Sequence, residues 1–188
     1  MPEDPSYQEI FQRIQEDQRY LTQIEWGEPR PGHPEGTVKA HLDELEQNRL
    51  RFGQRFSATD HCKLQILIHT HDTFKAVARE GVAITHPDSH ASLARTFLAE
   101  FCDDLDLLNM VQLHDEPYAL WRQATRLKGI NQARWKTLLG SIVDWDLFLA
   151  FLIIDGCTAG KGRDKLHWFF SEVAGRVTSQ ITAADILE

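Results

Sequence analysis

The chain has 188 residues, of which 42% are hydrophobic and 26% are charged, and these proportions are ordinary for a globular protein. This length suits one domain with a sizeable hydrophobic core. The formal net charge of -8 excludes a broad affinity for nucleic acid or for an anionic membrane, although a local basic pocket for a small phosphorylated molecule stays open.

The hydrophobic pattern predicts helices throughout, because no segment alternates apolar and polar residues with period two. An amphipathic helix is predicted at 7–24, and a loop with three prolines and three glycines follows at 26–36. Thr59 or Asp60 is the predicted cap of a helix that runs to about residue 75, and Asp88 or Ser89 caps one that runs to about residue 101. The other helices are predicted at about 37–55, 104–114, 117–127, 131–139, 144–155 and 163–178. We therefore predict an all-α fold.

The dipeptide His71-Asp72 is the most informative feature of these helices. It continues an apolar stripe at Leu64, Leu67 and Ile68, with the spacing of one buried helix face. An imidazole and a carboxylate on such a face are costly unless something satisfies both. A divalent metal ion would do so, whereas a buried His-Asp hydrogen bond is the simpler explanation for an isolated pair.

Three further apolar stripes carry a side chain that can ligate a metal. His41 lies three residues after Val38, His114 ends the stripe of the helix at 104–114, and Asp155 ends the stripe of the helix at 144–155. Four separate segments with this pattern favour a shared metal site over four unrelated hydrogen bonds.

The order of His41, His71-Asp72 and Asp155 along the chain resembles that of the HD-domain superfamily of metal-dependent phosphohydrolases. The resemblance extends over about residues 32–161 and is clearest in the segments 32–41, 67–75, 86–91 and 147–155. Two positions depart from the family pattern: Phe74 replaces a glycine and His90 replaces a small residue. The resemblance implies a helical bundle with a metal site in its core, an N-terminal helix within 1–26, and a C-terminal helix and tail at 163–188, all in a single domain.

The same resemblance implies the metal ligands. His41, His71, Asp72 and Asp155 suffice for one ion, and in members with two ions His86 and His114 would occupy the added positions, with Asp72 as the bridge. His86 lies in a predicted loop, so a solvated surface histidine is the alternative for this residue. We expect one or two divalent ions, with two favoured, and the choice among Mn, Fe, Co, Ni, Zn and Mg stays open. The other candidates are interpreted as helix caps or helix-start residues, entrance-loop residues, or side chains that are solvated or hydrogen-bonded: His33, His61, His69, His90, Asp115, Asp144, Asp146 and His167.

A metal ion lowers the pKa of bound water from 15.7 toward ~7 and so supplies a hydroxide at neutral pH. Asp72 would ligate the metal and orient this hydroxide, and Lys75 would bind a phosphate oxygen. Lys161 and Arg163 could reach the same pocket, unless their glycine-rich segment is a mobile surface loop. The expected function is a phosphomonoesterase or phosphodiesterase for a nucleotide or another small phosphorylated molecule. A di-iron oxygenase of the same superfamily and a non-catalytic ligand-binding module are the alternatives.

The three cysteines, Cys62, Cys102 and Cys157, are far apart and lack zinc-type spacing, which predicts reduced thiols. The polar, acidic first residues do not resemble a signal peptide, and the apolar run at 147–154 is too short to cross a bilayer. We therefore expect a cytoplasmic protein whose partner is its small substrate. No membrane partner is expected, and oligomerisation stays open.

Overall fold

The computed structural model describes residues 5–31, 34–127 and 129–187, and within these ranges the chain is helical and has no β-strand. The α-helices are α1 (Tyr7–Glu16), α2 (Gln18–Gln23), α3 (Val38–Leu50), α4 (Ala58–Thr70), α5 (His90–Leu98), α6 (Leu105–Leu113), α7 (Glu116–Leu127), α8 (Gln132–Ser141), α9 (Trp145–Gly156) and α10 (Asp164–Val173). Two short 3-10 helices span Gly53–Arg55 and Ala183–Asp185. The predicted all-α fold is confirmed. His33, an entrance-loop candidate, lies outside the described residues.

Helix α9 lies at the centre of the bundle. Its residues 147–154 are all apolar and none is more than 6% exposed. A helix that is apolar on every side must be surrounded by others, and α3, α4 and α10 pack against it. The Asn48 side chain on α3 donates a hydrogen bond of 3.0 Å to the main-chain carbonyl of Ile154. This bond holds α3 against α9 directly beside Asp155.

The first predicted helix is in fact two helices that meet at Asp17. The backbone of Asp17 is extended (φ -70°, ψ 127°), and its side chain accepts a hydrogen bond from the main-chain N–H of Arg19. Aspartate is a strong N-cap residue, so this local bond starts a new helix where the apolar pattern alone suggested continuity.

Helix α4 also differs from its predicted boundaries. Ser57 caps it, and Asp60 completes a capping box instead of serving as the cap itself. The helix ends at Thr70, so His71 is its C-cap and Asp72 lies in the turns that follow. Both side chains nevertheless point inward, since His71 is only 1% exposed and Asp72 only 4%. His71 also keeps a helical backbone conformation (φ -54°, ψ -39°).

Ser89 is the cap of α5, as predicted, but this helix ends at Leu98 instead of about residue 101. Helix α10 ends at Val173, about five residues before its predicted end, whereas α6, α7, α8 and α9 follow the prediction closely. Cys62, Cys102 and Cys157 are free thiols. Among the described residues, no single helix has the length and apolar character needed to span a membrane. Helices α8 and α9 taken together, within the described residues, have that length and apolar character, but they are bent by 114° relative to each other.

Candidate metal centre

Two neighbouring groups of three side chains have the composition and spacing to hold a metal ion. In each group the candidate ligand atoms lie within 4.8 Å of one another. One group is His41, His71 and Asp155, and the other is Asp72, His90 and His114. Helices α3, α4, α5, α6 and α9 bring these residues together, either within the helix or at its end. The structure therefore gathers five of the six predicted ligands.

The carboxylate of Asp72 faces both groups. Its Oδ2 atom is 3.3 Å from Nε2 of His71, whereas its Oδ1 atom is 3.6 Å from Nε2 of His114 and 3.7 Å from Nε2 of His90. One carboxylate thus directs one oxygen to each group, which is the arrangement expected of a bridging ligand.

Two of the histidines are oriented by an oxygen at their outer ring nitrogen. Nδ1 of His71 and Nδ1 of His114 each lie 2.8 Å from a main-chain carbonyl oxygen. A carbonyl oxygen only accepts hydrogen bonds, so Nδ1 is the protonated donor in both cases. The Nε2 atoms of these two histidines are therefore turned toward the carboxylates, as in metal-ligating histidines with an outer oxygen partner. His41 lies between two carboxylates: its Nε2 atom is 3.0 Å from Oδ1 of Asp155, and its Nδ1 atom is 3.2 Å from Oε1 of Glu35.

In the part of the chain that the structure describes, two buried polar atoms of the centre lack a hydrogen-bond partner, whose place a metal ion could take. Nε2 of His71 and Oδ1 of Asp72 have no hydrogen-bond partner within the described residues. A buried polar atom without a partner costs about 1–3 kcal/mol. Imidazole nitrogen and carboxylate oxygen are good ligands for divalent transition metals, so a bound ion would satisfy both atoms. The chemistry of this donor set fits the expected ion.

The side chains around each of the two buried carboxylates favour its ionised form. Lys75 donates a hydrogen bond to Oδ2 of Asp72, and Lys161 donates one of 2.7 Å to Oδ1 of Asp155. Burial by itself raises the pKa of Asp72, but His71 and Lys75 lower it well below its usual range. Burial also raises the pKa of Asp155, and Lys161 and His41 overcome this effect.

The two most buried histidines have opposite electrostatic environments. Burial lowers the pKa of His71, which favours its neutral, ligating form. Burial also lowers the pKa of His114, but the charges of Asp115 and Asp72 outweigh this effect and raise the pKa to about 9. A cation that binds Nε2 of His114 therefore displaces a proton from it.

The predicted ligand His86 does not belong to either group. It lies in the turns before α5, where its Nδ1 atom accepts a hydrogen bond of 3.1 Å from the main-chain N–H of Asp88. Its position is taken by His90, whose Nε2 atom lies 3.3 Å from Nε2 of His114. The physical reason is that Ser89 starts α5, so that His90 stands in the first turn of a helix that packs against α6. The signal for His90 was its departure from the family pattern.

Asp115 is a second residue that the sequence interpretation assigned only to a helix start. Its Oδ2 atom lies 3.3 Å from Nε2 of His90 and 3.7 Å from Nε2 of His114. His114-Asp115 is another His-Asp dipeptide at the end of an apolar stripe, and this repetition could have identified it. Two other aspartates lie at the opposite end of α9 from Asp155. Asp144 caps the helix there, and Asp146 accepts a hydrogen bond from Ser179.

Arg163 is not available to a substrate, contrary to the prediction. Its guanidinium group donates hydrogen bonds to the main-chain carbonyls of Gly156 (3.0 Å), Cys157 (3.1 Å), Thr158 (3.3 Å) and Lys161 (2.6 Å). A cation at these carbonyls satisfies the C-terminal end of α9 and interacts favourably with its dipole. Arg163 therefore holds the loop that carries Lys161.

Replacing Arg163 by methionine is expected to destabilise the protein by about 1.5–3 kcal/mol, because charge-assisted hydrogen bonds to several carbonyls are lost. Urea unfolding of the variant measures this loss. The matched control is Arg126→Met, which removes an exposed arginine on α7. Unfolding of the Arg163 variant at the same urea concentration as the control would contradict the structural role.

Glu35 was not predicted as a site residue, although it lies in the segment that resembles the family's first motif. Because its carboxylate lies 3.2 Å from Nδ1 of His41, we expect Glu35→Ala to weaken metal affinity by ~10- to 100-fold. Glu35→Gln keeps an acceptor for Nδ1 of His41 and should recover part of this loss. Competition with a coloured chelator measures both affinities. Equal affinities in the wild type and the alanine variant would remove Glu35 from the site.

A cleft of about 350 Å³ opens onto Asp72, His114 and Asp155. Three lysines line it: Lys75, Lys161 and Lys165. The sequence interpretation missed Lys165, which lies on α10 with its Nζ atom 5.2 Å from the ring centre of Tyr118. Burial lowers the pKa of Lys165. The cleft thus places three lysine side chains beside the carboxylates of Asp72, Asp115 and Asp155.

Comparisons with protein-family models, with curated proteins and with solved structures found no match for this chain. The functional interpretation therefore depends on the geometry and electrostatics of the centre itself.

Proposed function

We propose that this protein is a metal-dependent phosphohydrolase of the HD-domain type, acting on a phosphomonoester or phosphodiester bond of a small molecule such as a nucleotide. The observation that carries the proposal is the position of Asp72 between two groups of ligands. The order of His41, His71-Asp72, His114 and Asp155 along a helical bundle supports the same family, and the lysine-lined cleft supports an anionic substrate.

A divalent ion bound by either group would lower the pKa of a coordinated water and polarise a phosphoryl oxygen. The protein contributes binding and orientation. Lys75 and Lys161 lie at the cleft with ammonium groups that can contact phosphate oxygens. The two carboxylates that they neutralise, Asp72 and Asp155, stay ionised and fixed in position. Half-exposed Asp115 also lines the cleft, where His114 and His90 hold the pKa of its carboxyl well below its usual range against the effect of burial.

A di-iron oxygenase is the second candidate. The observation in its favour is the ligand set of four histidines and two carboxylates, since imidazole and carboxylate also suit iron. The three lysines at the cleft favour the hydrolase. A non-catalytic binding module gives no reason for buried His71 and Asp72 atoms that lack hydrogen-bond partners.

The deciding experiment is elemental analysis of the purified protein, followed by assays with the metal that is found. We expect phosphate release from a panel of phosphomonoesters or phosphodiesters with Mn²⁺, Co²⁺ or Ni²⁺, and loss of this activity after chelation. Lys75→Ala should raise KM, because a phosphate contact is removed. Bound iron together with substrate-dependent oxygen uptake would establish the oxygenase instead. Tight metal binding without either reaction across the panel would contradict both enzymes.

A further inference from the structure

A second cleft, of about 490 Å³, adjoins the first and has more basic than acidic residues in its walls. The two share Lys75, Asp115 and Tyr118 in their walls. Five basic and two acidic residues line the second cleft. The basic residues are Arg30, Lys75, Arg79, Arg122 and Arg134, and the acidic residues are Glu80 and Asp115. This excess of positive charge contrasts with the net charge of -8 for the whole chain.

Two of the five cations are neutralised by a carboxylate of their own. Arg134 forms two hydrogen bonds with Glu116, of 2.5 and 2.6 Å, and Lys75 is paired with Asp72. These two side chains therefore contribute little free positive charge to the cleft.

The other three cations, Arg30, Arg79 and Arg122, form no ion pair with any carboxylate in the described part of the chain. The guanidinium group of Arg30 lies 5.6 Å from the ring centre of Trp26, and that of Arg122 lies 5.6 Å from the ring centre of Tyr118. An aromatic face attracts a guanidinium without cancelling its charge and leaves its N–H groups available for an oxyanion.

We propose that the substrate carries a second anionic group, a phosphate or a carboxylate, which Arg79 and Arg122 bind with the help of Arg30. The group that reacts would lie in the adjoining cleft beside Asp72 and Lys75. This inference rests on the proposed function, because it assumes that the candidate metal centre receives the first anionic group. It narrows the substrate class to small molecules with two separated anionic groups.

The first test counts the phosphate sites of the metal-loaded protein. The Arg79→Gln/Arg122→Gln double variant is compared with Arg126→Gln, which removes an exposed arginine of α7 that does not line the cleft. A calorimetric titration with inorganic phosphate is expected to give two sites per chain in the wild type and in the control, and one in the double variant. The same number of sites in all three proteins would overturn the inference.

The second test identifies the second anion. Calorimetry on the metal-loaded protein compares glucose 6-phosphate with glucose 1,6-bisphosphate and with 6-phosphogluconate. The compound with the preferred second anion should bind ~10- to 100-fold more tightly than glucose 6-phosphate. This gain should disappear in the double variant and persist in Arg126→Gln. A gain for the bisphosphate identifies a phosphate and a gain for the phosphogluconate identifies a carboxylate, whereas no gain for either overturns the inference.

Turnover separates this inference from the proposed function. Metal-dependent phosphate release that is unaffected by the second anion and by both arginine substitutions supports the hydrolase and overturns the second subsite. Arginine-dependent binding of the doubly anionic compound, without any metal-dependent turnover across the panel, supports the subsite and contradicts the hydrolase.

Discussion

Asp72→Asn is expected to remove bound metal from both groups and to lower turnover on the order of 1,000-fold. Asparagine has nearly the same shape as aspartate but lacks the charge, and it offers a single oxygen where Asp72 directs one oxygen to each group. His71→Ala should also abolish metal binding, because it removes the most buried ligand nitrogen. Elemental analysis after gel filtration measures the metal content of each variant.

The substitution of Asp72 also leaves Lys75 without its partner, and breaking a buried ion pair costs about 3–5 kcal/mol. Circular dichroism must therefore show that the helical spectrum is retained. The double variant Asp72→Asn/Lys75→Met removes the unpaired charge and keeps the test valid if the single variant unfolds. Asp103→Asn and His167→Ala, which alter exposed residues, are the matched controls. A folded Asp72 variant with the metal content of the wild type would show that the site is assigned wrongly.

His90→Ala is expected to reduce the metal content from two ions per chain to one, whereas His86→Ala should leave it at two. Nε2 of His90 lies within 3.3–3.7 Å of His114, Asp72 and Asp115, while His86 is directed to the backbone of its own turn. The first group does not include His90, so the remaining ion should stay bound there.

These two variants form a matched pair, since both remove a histidine from the same short segment. The measurement is metal per chain by elemental analysis, with phosphate release assayed in parallel. A loss of one ion in His86→Ala, with none in His90→Ala, would show that His86 is the ligand, as predicted from the sequence, and that His90 is not. One ion in the wild type, retained in both variants, would mean that only the group around His41 binds metal.

Much of the helical architecture was predictable, because its signal is local. Apolar residues spaced three and four apart identify the buried face of a helix, whatever packs against it. The same spacing indicated correctly that His41, His71, His114 and Asp155 point inward. Several boundaries were wrong, among them those at Asp17, Leu50, Thr70 and Val173. Those at Asp17 and Thr70 depend on capping bonds and turns that interrupt an otherwise continuous pattern.

The sequence by itself determined which helices form and which polar side chains they bury, because a helix fixes the angle between its residues. Only the tertiary structure decided what those side chains meet. It selected His90 over His86, brought Asp115 and Glu35 to the histidines, and turned Arg163 away from the cleft onto the end of α9. The physical reason is that the direction of a side chain in a turn, or of a long flexible arginine, depends on contacts between helices that are distant in the chain.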